Sequence, residues 1–158
     1  MNTLSGILSR ELLTPNDKLN ILWTSVDDYR FEATIKSLGH NIITFSHLYF
    51  GTCIPNAIIC NNKVLFYKKC RDISIQFHIP ILVIDHETKP DTLADNLETS
   101  LVYRFPTSYN VAMSEEIANS WSVKYNYVLK TEDIRDKEFW SNTIYQTSKL
   151  IFKYNGKS

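Results

Sequence analysis

The sequence predicts a single three-layer α/β domain whose mostly parallel sheet has five or six strands. Short apolar runs alternate along the chain with segments of helical periodicity, a pattern typical of this class. The run from Ile79 to Ile84 contains only apolar residues and one proline and stops abruptly at Asp85, as expected for a strand buried on both faces. The chain has 158 residues, which is enough to bury one core.

The first half of the chain predicts a βαβ unit followed by a further strand and helix. Its strands come from apolar runs, and its helices from apolar residues spaced three or four apart. Gly39 should end the first helix, because a C′ position favours glycine. In order, these elements are a strand at 19–24, a helix at 28–38, strands at 40–46 and 56–60, and a helix at 63–77.

The second half continues the alternation of strands and helices. The predicted elements are a strand at 79–84, a helix at 90–101, a strand at 110–113, a helix at 115–122, a strand at 125–129 and a helix at 136–154. Residues 19–130 therefore form the domain, and residues 131–158 a C-terminal helix and tail. Residues 1–18 form a short N-terminal helix or arm that either packs on the domain or docks a partner.

Composition and spacing argue against several classes of function. The net charge is zero, whereas a protein that binds the phosphate backbone of nucleic acids needs a basic face. The four glycines form neither a dinucleotide fingerprint nor a P-loop. Three cysteines without a CxxC pair and four histidines without i,i+4 spacing predict no metal site, and we expect no cofactor. A phosphoacceptor site is not predicted either, because the third strand ends at Asn61 and Asn62 instead of an aspartate.

The sequence also predicts a cytoplasmic protein. No apolar run is long enough to span a membrane, and the N-terminus lacks the pattern of a signal peptide. The chain is rich in Asn, Ile, Lys and Tyr, which is typical of an AT-rich genome such as many phages have. A phage origin would place the protein in the host cytoplasm or in the virion.

The candidate chemical site lies where the fourth predicted strand ends. Ligands of open parallel sheets bind beyond the carboxyl ends of the strands, and a carboxylate beside a histidine can serve as a general base on a hydroxyl group. The catalytic candidates are Asp85, His86 and Glu87. With a strand order of 3-2-1-4-5, five ligand-binding candidates would lie close to them, namely Thr24, Ser25, Asp27, Ser114 and Glu115. The alternative is that Asp85, His86 and Glu87 are loop residues that cap the next helix, and Ser114 and Glu115 suit the N-terminus of a helix.

Several of these segments carry a resemblance to a known family. The segments are Ile54-Pro55-Asn56-Ala57-Ile58-Ile59, Ile79-Pro80-Ile81-Leu82-Val83-Ile84-Asp85-His86 and Val111-Ala112-Met113-Ser114-Glu115. Together they resemble the N-terminal, acceptor-side Rossmann-like domain of GT-B glycosyltransferases, over roughly Leu19 to Leu129. The resemblance implies a Rossmann-like fold and an acceptor-binding role. The sequence departs from the family in two ways. It has Thr24-Ser25-Val26 where glycines are usual after the first strand, and it lacks the domain that binds the nucleotide-sugar donor.

Two hypotheses about function follow. The first is a non-catalytic structural or interaction protein derived from a glycosyltransferase-like domain, which assembles with itself or with another protein. The richness in aromatic residues favours it, since aromatic side chains are enriched in interface cores. The alternative is a glycosyltransferase half-domain that binds a sugar acceptor or a nucleotide sugar and works with a separate donor-binding domain.

Overall fold

The apolar runs of the sequence form the strands of one sheet. The structure, a computed structural model, describes residues 18–24, 29–44, 55–61, 64–91, 104 and 108–155. Within these residues the sheet has six strands, and each is parallel to its neighbours. They are β1 (Asn20–Thr24), β2 (Asn41–Ile43), β3 (Ala57–Cys60), β4 (Ile81–Asp85), β5 (Ser108–Ala112) and β6 (Tyr127–Val128). The predicted α/β class with a parallel sheet is confirmed.

Helices join these strands and cover both faces of the sheet. In the described residues the α-helices are α1 (Tyr29–Ser37), α2 (Val64–Phe77), α3 (Glu115–Ser120) and α4 (Lys137–Asn155). A short 3-10 helix, Thr131–Arg135, precedes α4 and was not predicted from the sequence. The helix predicted at residues 1–18 lies outside the described residues except for Lys18. The helix predicted at residues 90–101 lies outside them except for Pro90 and Asp91.

The strand order differs from the one that we expected. Neighbouring strands follow the order β2-β1-β3-β4-β5-β6, so β3 lies between β1 and β4. The expected order, 3-2-1-4-5, is wrong because it leaves β3 at an edge although all four of its residues are buried. A strand that is apolar on both faces suits the middle of a sheet. β2 has only three residues and begins with the exposed Asn41, which suits an edge.

The observed order is the second common arrangement of doubly wound sheets. In this arrangement β2 lies on one side of β1, and β3, which follows β2 in the chain, lies on the other side of β1. The point at which the direction reverses therefore lies between β1 and β3, where Thr24 is aligned with Cys60. This placement moves the crevice expected for a ligand two strands away from β5.

The two faces of the sheet have separate cores. α1, the 3-10 helix and α4 pack on one face, here called the α4 face, and α2 and α3 pack on the other, the α2 face. On the α4 face the side chain of Trp140 is fully buried. Its Nε1 atom donates a hydrogen bond to the carbonyl oxygen of Ile134 at 3.0 Å, and the hydroxyl of Thr34 donates to the same oxygen at 3.2 Å. One carbonyl thus connects α1, the 3-10 helix and α4.

Two helices end at a residue with a positive φ angle. Gly39 follows α1 with φ +90°, so the predicted glycine stop is confirmed. His78 follows α2 with φ 54°. There the N–H of Ile79 donates to the carbonyl of Ser74 at 3.1 Å, the six-to-one bond of a Schellman motif. A side chain in the left-handed region costs about 1 kcal/mol, which this helix end accommodates at His78.

Candidate functional site

The carboxyl ends of β4 and β5 bring five of the predicted site residues to one edge of the sheet. Asp85 ends β4 and is aligned with Ala112 of β5. The N–H of Met113 donates to the backbone oxygen of Asp85 at 3.0 Å, which continues the pairing beyond β5. Glu87 thus lies on the same edge as Ser114 and Glu115. The predicted convergence of the fourth and fifth strands is confirmed.

The predicted contribution of the first strand to this cluster is wrong. Thr24 ends β1 and is aligned with Cys60 of β3, and β3 separates it from β4. Thr24 therefore lies two strands away from Asp85 instead of beside it. The error follows directly from the assumed strand order. Ser25 and Asp27 lie outside the described residues.

Asp85 is the centre of a buried polar cluster. Its side chain exposes 0% of its surface, and that of Arg104 exposes 6%. The Nη2 atom of Arg104 donates to both carboxylate oxygens of Asp85, at 3.1 and 3.0 Å. The hydroxyl of Tyr125 donates to Oδ2 of Asp85 at 2.5 Å. Both oxygens of the carboxylate therefore accept hydrogen bonds from protein donors, and we call Asp85, Arg104 and Tyr125 the Asp85 cluster.

Burial and charge act in opposite directions on this carboxylate. Burial raises the pKa of Asp85 above its ordinary value, while the Arg104 guanidinium and the Tyr125 hydroxyl act to lower it. Burial, and then the neighbouring charge of Asp85, raise the pKa of Tyr125. Tyr125 therefore keeps its proton and remains a hydrogen-bond donor to Asp85 at neutral pH.

A further layer of side chains holds Arg104 in place. Its Nη1 atom donates to Oδ1 of Asn110 at 3.2 Å, and the same oxygen accepts from the Ser108 hydroxyl at 3.3 Å. The guanidinium lies over the ring of Tyr67 of α2, 5.0 Å from its centroid, in a cation–π contact. Burial raises the pKa of Tyr67 to about 12, against the opposing charges of Arg104 and Arg71.

Two buried thiols lie beside this layer. Cys60 of β3 and Cys70 of α2 are both fully buried, and neither is in a disulfide. Burial, and then a hydrogen bond with Cys70, raise the pKa of Cys60. A protonated buried thiol is a poor nucleophile. Cys60 is thus part of the core on the α2 face.

The loop that follows Asp85 is fixed to α3. The indole Nε1 of Trp121 donates to the backbone oxygen of Glu87 at 2.8 Å. The N–H of Lys89 donates to the hydroxyl of Ser120 at 2.9 Å. The side chain of Glu87 is exposed, whereas the Nε2 atom of His86 is buried. The loop thus has a defined backbone position with one carboxylate directed into solvent.

Ser114 and Glu115 lie at the start of α3. The hydroxyl of Ser114 accepts a hydrogen bond from the N–H of Ile117 at 3.2 Å, so Ser114 is the N-cap of this helix. Glu115 is exposed in the first turn, where a negative charge interacts favourably with the helix dipole. Both positions are thus accounted for by the alternative of capping residues. Whether they also contact a ligand stays a prediction.

Arg104, Tyr125 and Tyr67 were not predicted from the sequence as site residues. A signal for the first was present, because an aspartate that ends a strand buried on both faces needs a cation or several donors. Arg104 is a lone charge between aromatic residues in the sequence. Its distance of 19 residues from Asp85 carries no periodic signal, so the pairing could not be read from local pattern.

The described residues contain no metal centre and no membrane span. Among them, no group of three or more histidine, cysteine, aspartate or glutamate residues is placed to hold a metal ion. No helix in the described ranges is both long and apolar enough to cross a membrane.

Comparison of the chain with protein-family models, with curated proteins and with solved structures gave no significant match. The resemblance to the acceptor-side domain of GT-B glycosyltransferases therefore remains a prediction from the residues that carry it.

Proposed function

We propose that this chain is a non-catalytic Rossmann-like module that binds a protein partner or further copies of itself. The observation that carries the proposal is the Asp85 cluster. The residue with the strongest sequence signal for catalysis is buried in an ion pair, and its place at a strand end has a structural explanation.

A general base needs a lone pair that can reach the proton of a substrate. Asp85 exposes no surface, and Arg104 and Tyr125 donate to its two oxygens. Releasing it for catalysis would leave the Arg104 guanidinium buried without its partner, at a cost of several kcal/mol. The side chains of Glu87 and Glu115 are exposed to solvent instead of enclosed in a site.

The edges of the sheet are poorly suited to binding a partner by strand pairing. The two edge strands are short, three residues in β2 and two in β6. Short edges offer few backbone groups for pairing with another strand. A partner would therefore contact helix faces or the loops at the strand ends.

The test combines light scattering with a thermal-shift screen on one purified sample. The proposal expects a defined oligomer, or a specific partner in a pull-down, and no stabilisation by nucleotides or nucleotide sugars. A bound ligand would be visible, since saturation at 100 times Kd adds about 2.7 kcal/mol to the free energy of unfolding. A protein that stays monomeric at high concentration and captures no partner would contradict the proposal.

A second candidate function is the glycosyltransferase half-domain. The observation that favours it is the loop after Asp85, where the Trp121 indole fixes the backbone and the Glu87 carboxylate is exposed. In this case a nucleotide sugar would stabilise the chain, and Glu87→Ala would abolish sugar transfer. Glu138→Ala, at an exposed position of α4, is the matched control. Absence of both binding and transfer in the unmodified protein would exclude this candidate.

A further inference from the structure

A second group of polar and aromatic side chains lies on the α4 face, away from the Asp85 cluster. A cleft of about 360 Å³ opens between strands β5 and β6 and the helix α4. Six residues that matter for its chemistry line it, namely Tyr109, Tyr127, Asp133, Phe139, Asn142 and Gln146. Its volume falls in the range of about 300–1,000 Å³ that is typical of small-molecule sites. We call this site the tyrosine cleft.

The strands β5 and β6 and the helix α4 supply the walls of the tyrosine cleft. Tyr109 and Tyr127 come from neighbouring strands and pack on the same face of the sheet. Phe139, Asn142 and Gln146 are spaced by three and four residues, so they lie on one side of α4. Sites on strands and helices hold their side chains more precisely than sites on loops. The walls are therefore positioned before any ligand binds.

Hydrogen bonds fix the orientation of one tyrosine in the cleft. The hydroxyl of Tyr127 donates to Oδ2 of Asp133 at 2.8 Å, and the N–H of Lys130 donates to the same atom at 2.9 Å. The ring of Tyr127 also contacts that of Phe139, with centroids 5.0 Å apart and planes tilted by 60°. This contact leaves no slot between the two rings for a flat heterocycle. A ligand must instead lie against an open ring face.

The lining disfavours an anionic ligand and offers hydrogen-bond partners to hydroxyl groups. Among the described residues that line the cleft there is no lysine, arginine or histidine, and Asp133 contributes a carboxylate, so a phosphate or carboxylate group would meet no countercharge from them. The exposed carboxamides of Asn142 and Gln146 each offer both a donor and an acceptor. Polarised C–H groups are attracted to the negative face of an aromatic ring. A pyranose ring combines these properties, since it has a C–H face and hydroxyl groups around its rim.

We propose that the tyrosine cleft binds a neutral pyranose ring. The aromatic side chains contact the C–H face of the sugar, and the carboxamides of Asn142 and Gln146 hydrogen-bond its hydroxyl groups. Asp133 acts as a positioning residue for Tyr127. This inference goes beyond the proposed function and does not depend on it, because the cleft lies on the opposite face of the sheet from the Asp85 cluster.

The test follows side-chain amide signals by NMR in the full-length protein. The probes are methyl α-glucopyranoside, methyl α-mannopyranoside and methyl β-galactopyranoside, with adenosine and uridine as flat competitors. At least one pyranoside should shift the carboxamide signals of Asn142 and Gln146. The signals of Asn119 and Gln76, which are exposed on the α2 face, should not move.

Variants decide whether the sugar occupies the cleft. Asn142→Ala and Gln146→Ala should each weaken pyranoside binding about 2- to 10-fold, the effect of losing one hydrogen bond. Both positions are exposed on a helix, where alanine is the best helix former, so the fold is retained. Gln76→Ala is the matched control and should leave the affinity unchanged.

Three results would overturn the inference. The first is that no pyranoside shifts either carboxamide, and the second that a nucleoside shifts them while the pyranosides do not. The third is pyranoside binding that both alanine variants leave unchanged, which would place the sugar elsewhere. A protein that binds a pyranoside in the cleft but stays monomeric and captures no partner would contradict the proposed function alone.

Discussion

Asp85 and Asp133 are both buried aspartates that accept a hydrogen bond from a tyrosine hydroxyl, yet their surroundings differ. Asp85 is 0% exposed and paired with the Arg104 guanidinium. Asp133 is 9% exposed, and its Oδ2 atom accepts from Tyr127 and from a backbone N–H. The carboxylate that is fully removed from water requires a full positive charge, whereas the one at the rim of a cleft is satisfied by dipolar donors.

The different surroundings of Asp85 and Asp133 suit the two aspartates to different roles. The Asp85 cluster joins the end of β4 to Arg104 and to the segment before β6, and Arg104 also contacts Tyr67 of α2, so its groups are committed to the fold. Asp133 holds a tyrosine at the surface of the tyrosine cleft and leaves the ring available to a ligand. Buried charge therefore indicates a structural role on the α2 face, and the hydrogen-bonded aromatic surface on the α4 face supports the proposed binding of a ligand there.

Breaking the ion pair of the Asp85 cluster should have the largest effect. Arg104→Met leaves the Asp85 carboxylate buried without its cation, so it should lower the free energy of unfolding by about 3–5 kcal/mol, as urea denaturation would measure. Arg71→Met is the matched control, because Arg71 also lies over the Tyr67 ring, at 5.6 Å, and its ion pair with Asp72 is partly exposed. This control should cost about 1 kcal/mol or less. Equal losses in the two variants would contradict the structural role of the cluster.

Removing the two tyrosine hydroxyls compares the aspartates directly. Tyr125→Phe removes a donor to the fully buried Asp85 and should cost about 2 kcal/mol. Tyr127→Phe should cost about 1 kcal/mol, because Asp133 keeps the Lys130 N–H and has some access to water. Thermal and urea unfolding of the two variants measure the difference. A larger loss for Tyr127→Phe would reverse the order of the two sites.

A buried imidazole extends the comparison to a group that is held neutral. The Nδ1 atom of His40 accepts a hydrogen bond from the N–H of Leu19 at 3.1 Å. Burial, and then the nearby Lys18 charge, lower the pKa of His40 below its ordinary value of 6.5. A lowered folded-state pKa gives stability that is present above pH 6.5 and is lost as the pH falls through the folded-state value.

We therefore expect the free energy of unfolding to decrease as the pH falls from about 7.5 to about 5, since protonation of His40 breaks this hydrogen bond. His40→Gln should flatten that decrease. His78→Gln, at an exposed position, should leave it unchanged. If both variants keep the slope of the unmodified protein, His40 does not control it.

Much of the fold could be predicted because burial leaves a local pattern in the sequence. The run from Ile79 to Ile84 predicted a strand, and β4 covers Ile81–Asp85. The fifth strand was predicted too late in the chain, because β5 begins at Ser108, whose polarity conceals its burial. Ser108 and Asn110 are buried because their side chains hydrogen-bond within the layer around Arg104.

The candidate site was only partly predictable. The meeting of Asp85 with the start of α3 followed from the rule that parallel strands end at one edge. The separation of Thr24 from this group did not, because it depends on which strands are neighbours. The tyrosine cleft was not predicted, since it combines residues of β5, β6, the 3-10 helix and α4 that share no motif.

By itself the sequence determined the alternation of strands and helices, the parallel sheet and the glycine stop at Gly39, because each depends on residues a few positions apart. Only the tertiary structure decided the strand order, the pairing of Arg104 with Asp85, and the opposite directions of Tyr125 and Tyr127. Tyr125 and Tyr127 are two positions apart and would share a face in a regular strand. The chain bends at Asn126 before β6 begins, so the two side chains lie on opposite faces of the sheet. The physical reason is that periodicity records whether a side chain is buried, while its partner is chosen by contacts between distant segments.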